Sequence, residues 1–339
     1  MILFVVQNTS SLKNTVRSII VAGLFMSAIS VIQNVTKTYS YSYFGFGGWE
    51  YSGYVDRPRM TGPYETPNPY AQVLAVIFIL AFERALNEYK TAWRIVSALA
   101  AGLIALAIIF TDSRGGFLNF VFTVFVFFLF NRPNIPAIFI TFAVGLLILQ
   151  FLPSNYTARL LTLFELNPFN SNASQLTDES FRGRTSENLV AWRMFLDNPV
   201  LGVGLDNYSQ YYLDYSRQIG LDPRREARDP ASLYLQLLAN QGLLGTTIFL
   251  ALITLIFVKL GRTYIRLDKM GFKNEAYMTS ALFAAMAGYM FMSIYKNSAN
   301  TNVFWSLVAL CLAASQVGEN IIKQENETTP NSKPMKRLA

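Results

Sequence analysis

The stretch WRIVSALAAGLIALAIIFT DSRG GFLNFVFTVFVFFLF, residues 93–130, decides the class of this chain. Two apolar runs flank a four-residue polar break. The first is about as long as the roughly 20 residues that cross a bilayer as a helix. Neither run alternates polar and apolar residues, as the strands of a membrane barrel must. Working outward, comparable runs fall at roughly 16–35, 69–86, 93–111, 116–130, 135–152, 233–260, 275–294 and 302–322. The expectation is an all-α polytopic membrane protein with about eight transmembrane helices. Composition agrees: 52 % of residues are hydrophobic and 14 % charged, against about 25 % charged in soluble domains.

One polar stretch, 153–232, interrupts the apolar pattern. The chain therefore divides into helices 1–5 (1–152), a large loop (153–232), helices 6–8 (233–322) and a polar tail (323–339) expected to be disordered. Lys and Arg in short loops set orientation. Arg84, Lys90 and Arg94, then Arg262, Arg266, Lys269 and Lys273, then Lys333, Lys336 and Arg337 all fall on one side when the spans alternate. That side is cytoplasmic, and the large loop faces outward into the periplasm or the medium. The first two turns of the sixth span are long enough to lie in the interface or re-enter.

The outward segments then carry eleven arginines but only two lysines, Lys37 and Lys296. Long loops are exempt from the positive-inside rule, which accounts for some of this. Arginine also binds phosphate in a planar, two-pronged fashion that lysine cannot reproduce. The chain has no histidine, so the usual neutral-pH acid–base and the commonest metal ligand are absent. Its single cysteine, Cys311, lies inside an apolar run and forms no intrachain disulfide. The net charge of +7 calls for no nucleic acid partner.

Arg114 stands at the end of the third span, after Thr111-Asp112-Ser113 and before Gly115-Gly116. An arginine there needs a partner or a water-filled cavity; pairing with Asp112 or a lipid headgroup is the plain alternative. The segment 36–68 is rich in Tyr, Phe and Gly and ends in Arg57-Pro58-Arg59-Met60-Thr61-Gly62. Its aromatic rings suit the membrane interface, and its arginines suit a headgroup or a substrate phosphate equally. In the loop, 153–182 reads as irregular cover and 184–198 as an amphipathic helix with Leu189, Trp192, Phe195 and Leu196 on one side. Asn198-Pro199 ends that helix and Gly202 with Gly204 makes a tight return. Residues 205–220 are Tyr-rich and read as a second interfacial helix.

Four phrases in this order resemble the O-antigen ligase and polymerase superfamily of bacterial membrane enzymes: Arg59-Met60-Thr61-Gly62 with Pro67-Asn68, Ser113-Arg114-Gly115-Gly116, Asn198-Pro199 to Gly204, and Asp229 to Gln236 with Gly242. The resemblance implies a C-type glycosyltransferase fold in the bacterial inner (cytoplasmic) membrane. It implies transfer from a polyprenyl-diphosphate-linked glycan to an acceptor glycan or lipid, as in surface polysaccharide and lipopolysaccharide assembly, with no cofactor and no metal. The diphosphate arginines it implies fall on Arg114 and Arg184, with Arg182 as the alternative register and Arg59 as a further substrate-binding candidate. Two departures stand out. The ligases carry a histidine where this chain has Ala231, and they have about a dozen spans, so the chain reads as an N-terminally shortened, polymerase-like relative.

Without histidine, the base for the acceptor hydroxyl falls to a carboxylate: Glu187, Asp206, Asp229 or Glu65. The rival reading is a non-catalytic relative that binds lipid-linked glycan. A transporter fits least, since ionisable groups such as Glu83 and Glu319 lie only near span ends. The orientation has a direct check. A cysteine placed at Ser174 is expected to react with an impermeant maleimide in intact spheroplasts; labelling only after lysis would invert the topology.

Overall fold

A computed structural model describes residues 2–51, 58–131, 179–220, 228–296 and 301–328. The expected fifth span (135–152), the loop as far as residue 178, Arg57, and the tail beyond 328 lie outside the described residues. Helices dominate the rest. They are, in order, α1 (Ile2–Val5), α2 (Thr9–Thr36), α3 (Pro67–Asn87), α4 (Thr91–Phe110), α5 (Arg114–Phe130), α6 (Glu179–Asp197), α7 (Tyr208–Ile219), α8 (Leu233–Lys269), α9 (Lys273–Met292) and α10 (Asn302–Thr328).

Among the described residues, five helices are long and apolar enough to cross a membrane: α2, α3, α4, α8 and α10. Helix α5 has 17 residues and is short for a crossing. Helix α9 coincides with the expected seventh span but does not reach that apolarity. Its packing explains why: it touches α3, α5, α8 and α10 and buries most of its residues, so it meets neighbours rather than lipid. Small residues allow the close approach. A β-carbon on Gly288 would fall 2.0 Å from the Thr123 hydroxyl of α5. Helix α10 runs to Thr328, beyond the expected span end at 322, with Lys323 and Glu327 paired one turn apart at 4.0 Å.

The segment 36–68 contains two short strands that its prolines and glycines did not foretell. Trp49–Tyr51 (β1) pairs antiparallel with Pro58–Met60 (β2), with Glu50 opposite Arg59.

In the large loop, the amphipathic helix is present, but its expected face is not the packed one. Leu189, Trp192 and Leu196 are exposed, whereas Val190, Ala191 and Met194 are buried against Tyr208 and Tyr212 of α7 and Ala239 of α8. Of the expected set only Phe195 is buried. The helix is apolar on two sides, and an exposed apolar side with a Trp suits the lipid interface.

Helix α8 breaks at Gly242, where φ is 62° and ψ is −162°. An unbroken helix would bond Leu243 N–H to Ala239 C=O and Leu244 N–H to Asn240 C=O. Instead those carbonyls accept from Val203 N–H (2.8 Å) and Gly204 N–H (3.0 Å). The freed amides donate to Pro199 C=O (2.8 Å) and Val200 C=O (3.2 Å). Four helix-type partners are thus exchanged with the Asn198–Gly204 turn, and each of these four α8 groups keeps a hydrogen bond. Only glycines fit the crossing. A β-carbon at Gly202 would lie 2.4 Å from the Asn240 carbonyl carbon, and one at Gly242 would lie 2.3 Å from Val200 oxygen.

Gly242→Ala should therefore combine about 1–3 kcal/mol of backbone strain with that clash. Its melting temperature in detergent should fall well below that of Gly220→Ala, where φ is also positive (70°) but nothing lies within 4 Å. Equal melts for the two variants would remove the crossing from the folding account.

Candidate functional site

The large-loop end of the bundle gathers the sequence phrases. Ser113 caps α5: its Oγ accepts from Gly116 N–H at 3.0 Å and donates to Asn68 Oδ1 at 2.7 Å. This one hydroxyl joins two of the phrases and fixes Arg114 as the first residue of α5. The preceding turn is tight, with Asp112 at φ 49° and only 6 % exposed. Gly116 lets α5 meet α3, since a β-carbon there would fall 2.4 Å from that of Ala71. The Arg59 Nε donates to Thr111 C=O at 3.0 Å and Nη2 reaches Asp112 C=O at 3.5 Å. Arg59 thus ties β2 to the turn that presents Arg114, a positioning contact that residue spacing could not reveal.

A second group comes from α6 and the entry to α8. Glu187 is 8 % exposed and its Oε1 lies 3.2 Å from Arg228 Nη1. Tyr208 donates from its hydroxyl to the Glu187 carbonyl oxygen at 2.7 Å. Burial pushes the Tyr208 phenol well above its usual range, and Tyr212, Glu187 and Asp229 add to the shift. It therefore stays a neutral donor.

The turn after α9, which ends at Lys296, adjoins both groups. The Lys296 backbone N–H donates to Met292 C=O at 3.0 Å, just beyond the end of α9. A β-carbon on Gly115 would lie 3.5 Å from Met292 Cε, so the turn bearing Arg114 shares this rim. The start of α8 is pinned there too: Leu233 N–H donates to Ser293 C=O at 3.0 Å and the Tyr234 hydroxyl donates to Met290 C=O at 2.9 Å. Lys296 is half-buried and feels Arg184, Asp229, Glu187 and Glu65. Burial first, and then Arg184, holds its ammonium below the usual lysine range against the pull of the three carboxylates.

The expected site residues thus separate. Arg184, Glu187, Asp229 and Glu65 all act electrostatically on Lys296, and Arg114 lies along the same rim. Arg184 is exposed to solvent. Asp206 sits exposed at the return turn with φ 57°, and no described contact joins it to the group. Arg182 lies on α6, but its side chain is outside the described residues. Sequence reasoning gave Lys296 no role. The signal was its position as one of only two lysines in the outward segments.

Among the described residues, no group of His, Cys, Asp and Glu could hold a metal ion. At the opposite end of the bundle lies a second charged group of different character. Arg84 and Glu83 are fully buried and joined by two bonds of 2.6 Å. Arg84 also donates to Asn274 Oδ1 at 2.7 Å, and Arg17 pairs with Glu88 at 3.0 Å. These contacts tie α2, α3 and α9 together.

Comparison with known families matches residues 98–250 to the O-antigen ligase family. This span runs from α4 through the Gly242 break. It covers the Ser113–Gly116 phrase, the Asn198–Gly204 turn and most of the residues acting on Lys296. No curated protein matches the chain. The family match supports membership of the O-antigen ligase superfamily, consistent with membrane-type helices and a part in polysaccharide assembly.

Ser113→Ala should cost about 0.5–2 kcal/mol through the lost cap and should leave Asn68 without its donor. Ser113→Thr, which keeps the hydroxyl, should lose less in the same detergent melt. Equal losses would show that the hydroxyl does not hold the turn.

Proposed function

Starting from the match of residues 98–250 to the O-antigen ligase family, we propose that this chain is a glycosyltransferase of the bacterial cytoplasmic membrane. It moves a polyprenyl-diphosphate-linked glycan onto an acceptor sugar and is more polymerase-like than ligase-like. The observation that carries the reading is the gathering of Arg184, Arg228 and Lys296, with Arg114 along the rim, where the motif-bearing segments meet.

In the reaction, the acceptor hydroxyl oxygen attacks the anomeric carbon and gives up its proton to a carboxylate of the site, Glu187, Asp229 or Glu65. The bond from that carbon to the phosphate oxygen breaks, and its electron pair leaves with the polyprenyl diphosphate. Negative charge grows on the leaving group. Guanidinium groups held by folded helices meet that charge without reorganising, a contribution of several kcal/mol. Arg114 is placed by the Ser113 cap and by the Arg59 tether; Arg184 is placed by α6, whose buried face is locked to α7 and α8. Arg59 acts here through the turn it holds. Glu65 and Asp229, both exposed, suit hydrogen bonds to acceptor hydroxyls.

The rival reading is a relative that binds lipid-linked glycan without transferring it, and Ala231 in place of the family's histidine favours it. The test is transfer itself, in nanodiscs, with a polyprenyl-diphosphate glycan. Arg114→Lys and Arg184→Lys keep charge but lose the fork, so each should lower the rate by about tenfold or more while the protein still inserts. Full activity in Arg114→Lys would sink the arginine assignment. Full activity in Arg184→Lys alone would move that role to Arg182.

A further inference from the structure

We propose that the turn at residues 199–205, together with the exposed side of α6, is inserted among the acyl chains of the membrane leaflet on the large-loop side. The partner is lipid hydrocarbon, and the insertion does not depend on the transferase reading.

The turn reads Pro-Val-Leu-Gly-Val-Gly-Leu, with no polar side chain. Val200, Leu201 and Leu205 are 62, 68 and 72 % exposed. Turns in water favour Asn, Asp and Ser beside their Gly and Pro, and they leave backbone groups to solvent. Here the arrangement is reversed. The Pro199 and Val200 carbonyls accept from α8, and the Val203 and Gly204 amides donate to it. Gly202 N–H donates to Asn198 C=O at 3.0 Å, and the Val203 carbonyl accepts from Asn207 Nδ2 at 2.9 Å. Polar backbone faces protein while apolar side chains face out. Irregular backbone at membrane depth is tolerated when protein satisfies it in this way.

The depth of the turn follows from α8. After Asp229 the next charged residue is Lys259. Hydrocarbon about 30 Å thick takes about 20 helical residues, so counting back from Lys259 it begins near Ala239. At about 1.5 Å per residue, Leu244 lies about 7 Å inside it, and any tilt of α8 places Leu244 deeper. Leu244 N–H bonds Val200 C=O at 3.2 Å, which sets the tip of the turn at the same level.

The turn also continues an existing lipid-type surface. Leu244 heads an exposed apolar stripe on α8 that runs through Ile248, Leu252 and Leu255. From the other direction Leu189, Trp192 and Leu196 lead along α6 into Val200. A turn left in water would separate these two stripes by three solvated apolar side chains. Charge appears only at the edges: exposed Arg193 lies 3.7 Å from Asp197, and exposed Asp206 follows Leu205 directly. Penetration of about 5–10 Å is normal for an amphipathic segment lying in the interface. On the transferase reading, α6 anchored in this way holds Arg184 near the headgroups, where a lipid-borne diphosphate sits.

The test uses the full chain in vesicles of phosphatidylcholine and phosphatidylglycerol. A nitroxide is attached to Leu201→Cys and, in separate variants, to Ile248→Cys and Gln218→Cys. All three positions are exposed, and the native Cys311 is buried and stays unlabelled. Collisions with oxygen, which concentrates in lipid, are compared with collisions with a water-soluble nickel chelate. Leu201 should match Ile248, with frequent oxygen and rare nickel collisions, and Gln218 should show the reverse. A Leu201 label as open to nickel as Gln218 would overturn the proposal. So would a label shielded from both, the mark of a second protein surface on the turn.

The unmodified protein gives a second readout. A lipid-soluble diazirine photolysed in the same vesicles should insert into the tryptic peptide 194–217 at residues 196–205 and not at 214–217. A peptide without carbene adducts in its first half would overturn the proposal whatever the nitroxides report.

Discussion

Everything at the large-loop end depends on the exchange of hydrogen bonds between the break in α8 and the Asn198–Gly204 turn. A broken helix in or beside a membrane leaves amides and carbonyls that lipid cannot satisfy, and such breaks persist only where protein supplies partners. Here the supply is reciprocal: two α8 carbonyls receive loop amides, and two α8 amides find loop carbonyls. The turn also ends α6 and leads into α7. Fixing the turn therefore fixes both loop helices, and with them Arg184, Glu187 and the phenol that buttresses Glu187 from behind. Two phrases some forty residues apart are one structural device.

The membrane class was legible because apolar length is read directly from composition, and α2, α3, α4, α8 and α10 need no partner to be recognised. Helix α9 was legible as a run, but its character was not: a helix wrapped by four others satisfies its polar residues inside the bundle. The face of α6 was misread for a related reason. Leu189, Trp192 and Leu196 are the larger side chains, yet α6 lies close to α7 and α8, and close approach selects Val190, Ala191 and Met194. Size ranks hydrophobicity; it does not say which side another helix will take.

The site was legible as a set of phrases and illegible as a constellation. Arg114 announced itself by its cost at a span end. Arg59 looked equivalent to it, yet spends at least two of its donors on the Thr111 and Asp112 carbonyls, a tertiary contact with no trace in spacing. Asp206 and Glu187 looked alike as bases until one proved to sit on an exposed turn and the other beneath Arg228. Lys296 carried no motif. Its significance arises only when the start of α8 bonds to the end of α9, which also brings the segment holding Ala231 beside it.

The two charged groups at opposite ends of the bundle obey different physics, and the difference argues for which one meets substrate. Glu83 and Arg84 lie wholly out of water. Taking such a pair from water is costly, and it is tolerated because the pair is two-pronged and Asn274 adds a further bond. Inserting a ligand there would leave one ion uncompensated, so the arrangement suits a permanent clamp on α2, α3 and α9. At the large-loop end Arg184, Glu65 and Asp229 reach solvent and Lys296 is half-buried. Cations and carboxylates stand there in near balance, and several are already hydrated on one side. On the proposed transferase reading, an incoming diphosphate replaces water and the exposed carboxylates Glu65 and Asp229 at the cations without stranding a buried charge, and those carboxylates then face the sugar that accompanies it. A cluster of mixed sign that keeps one face wet is what exchange with an anionic, polyhydroxylated ligand requires.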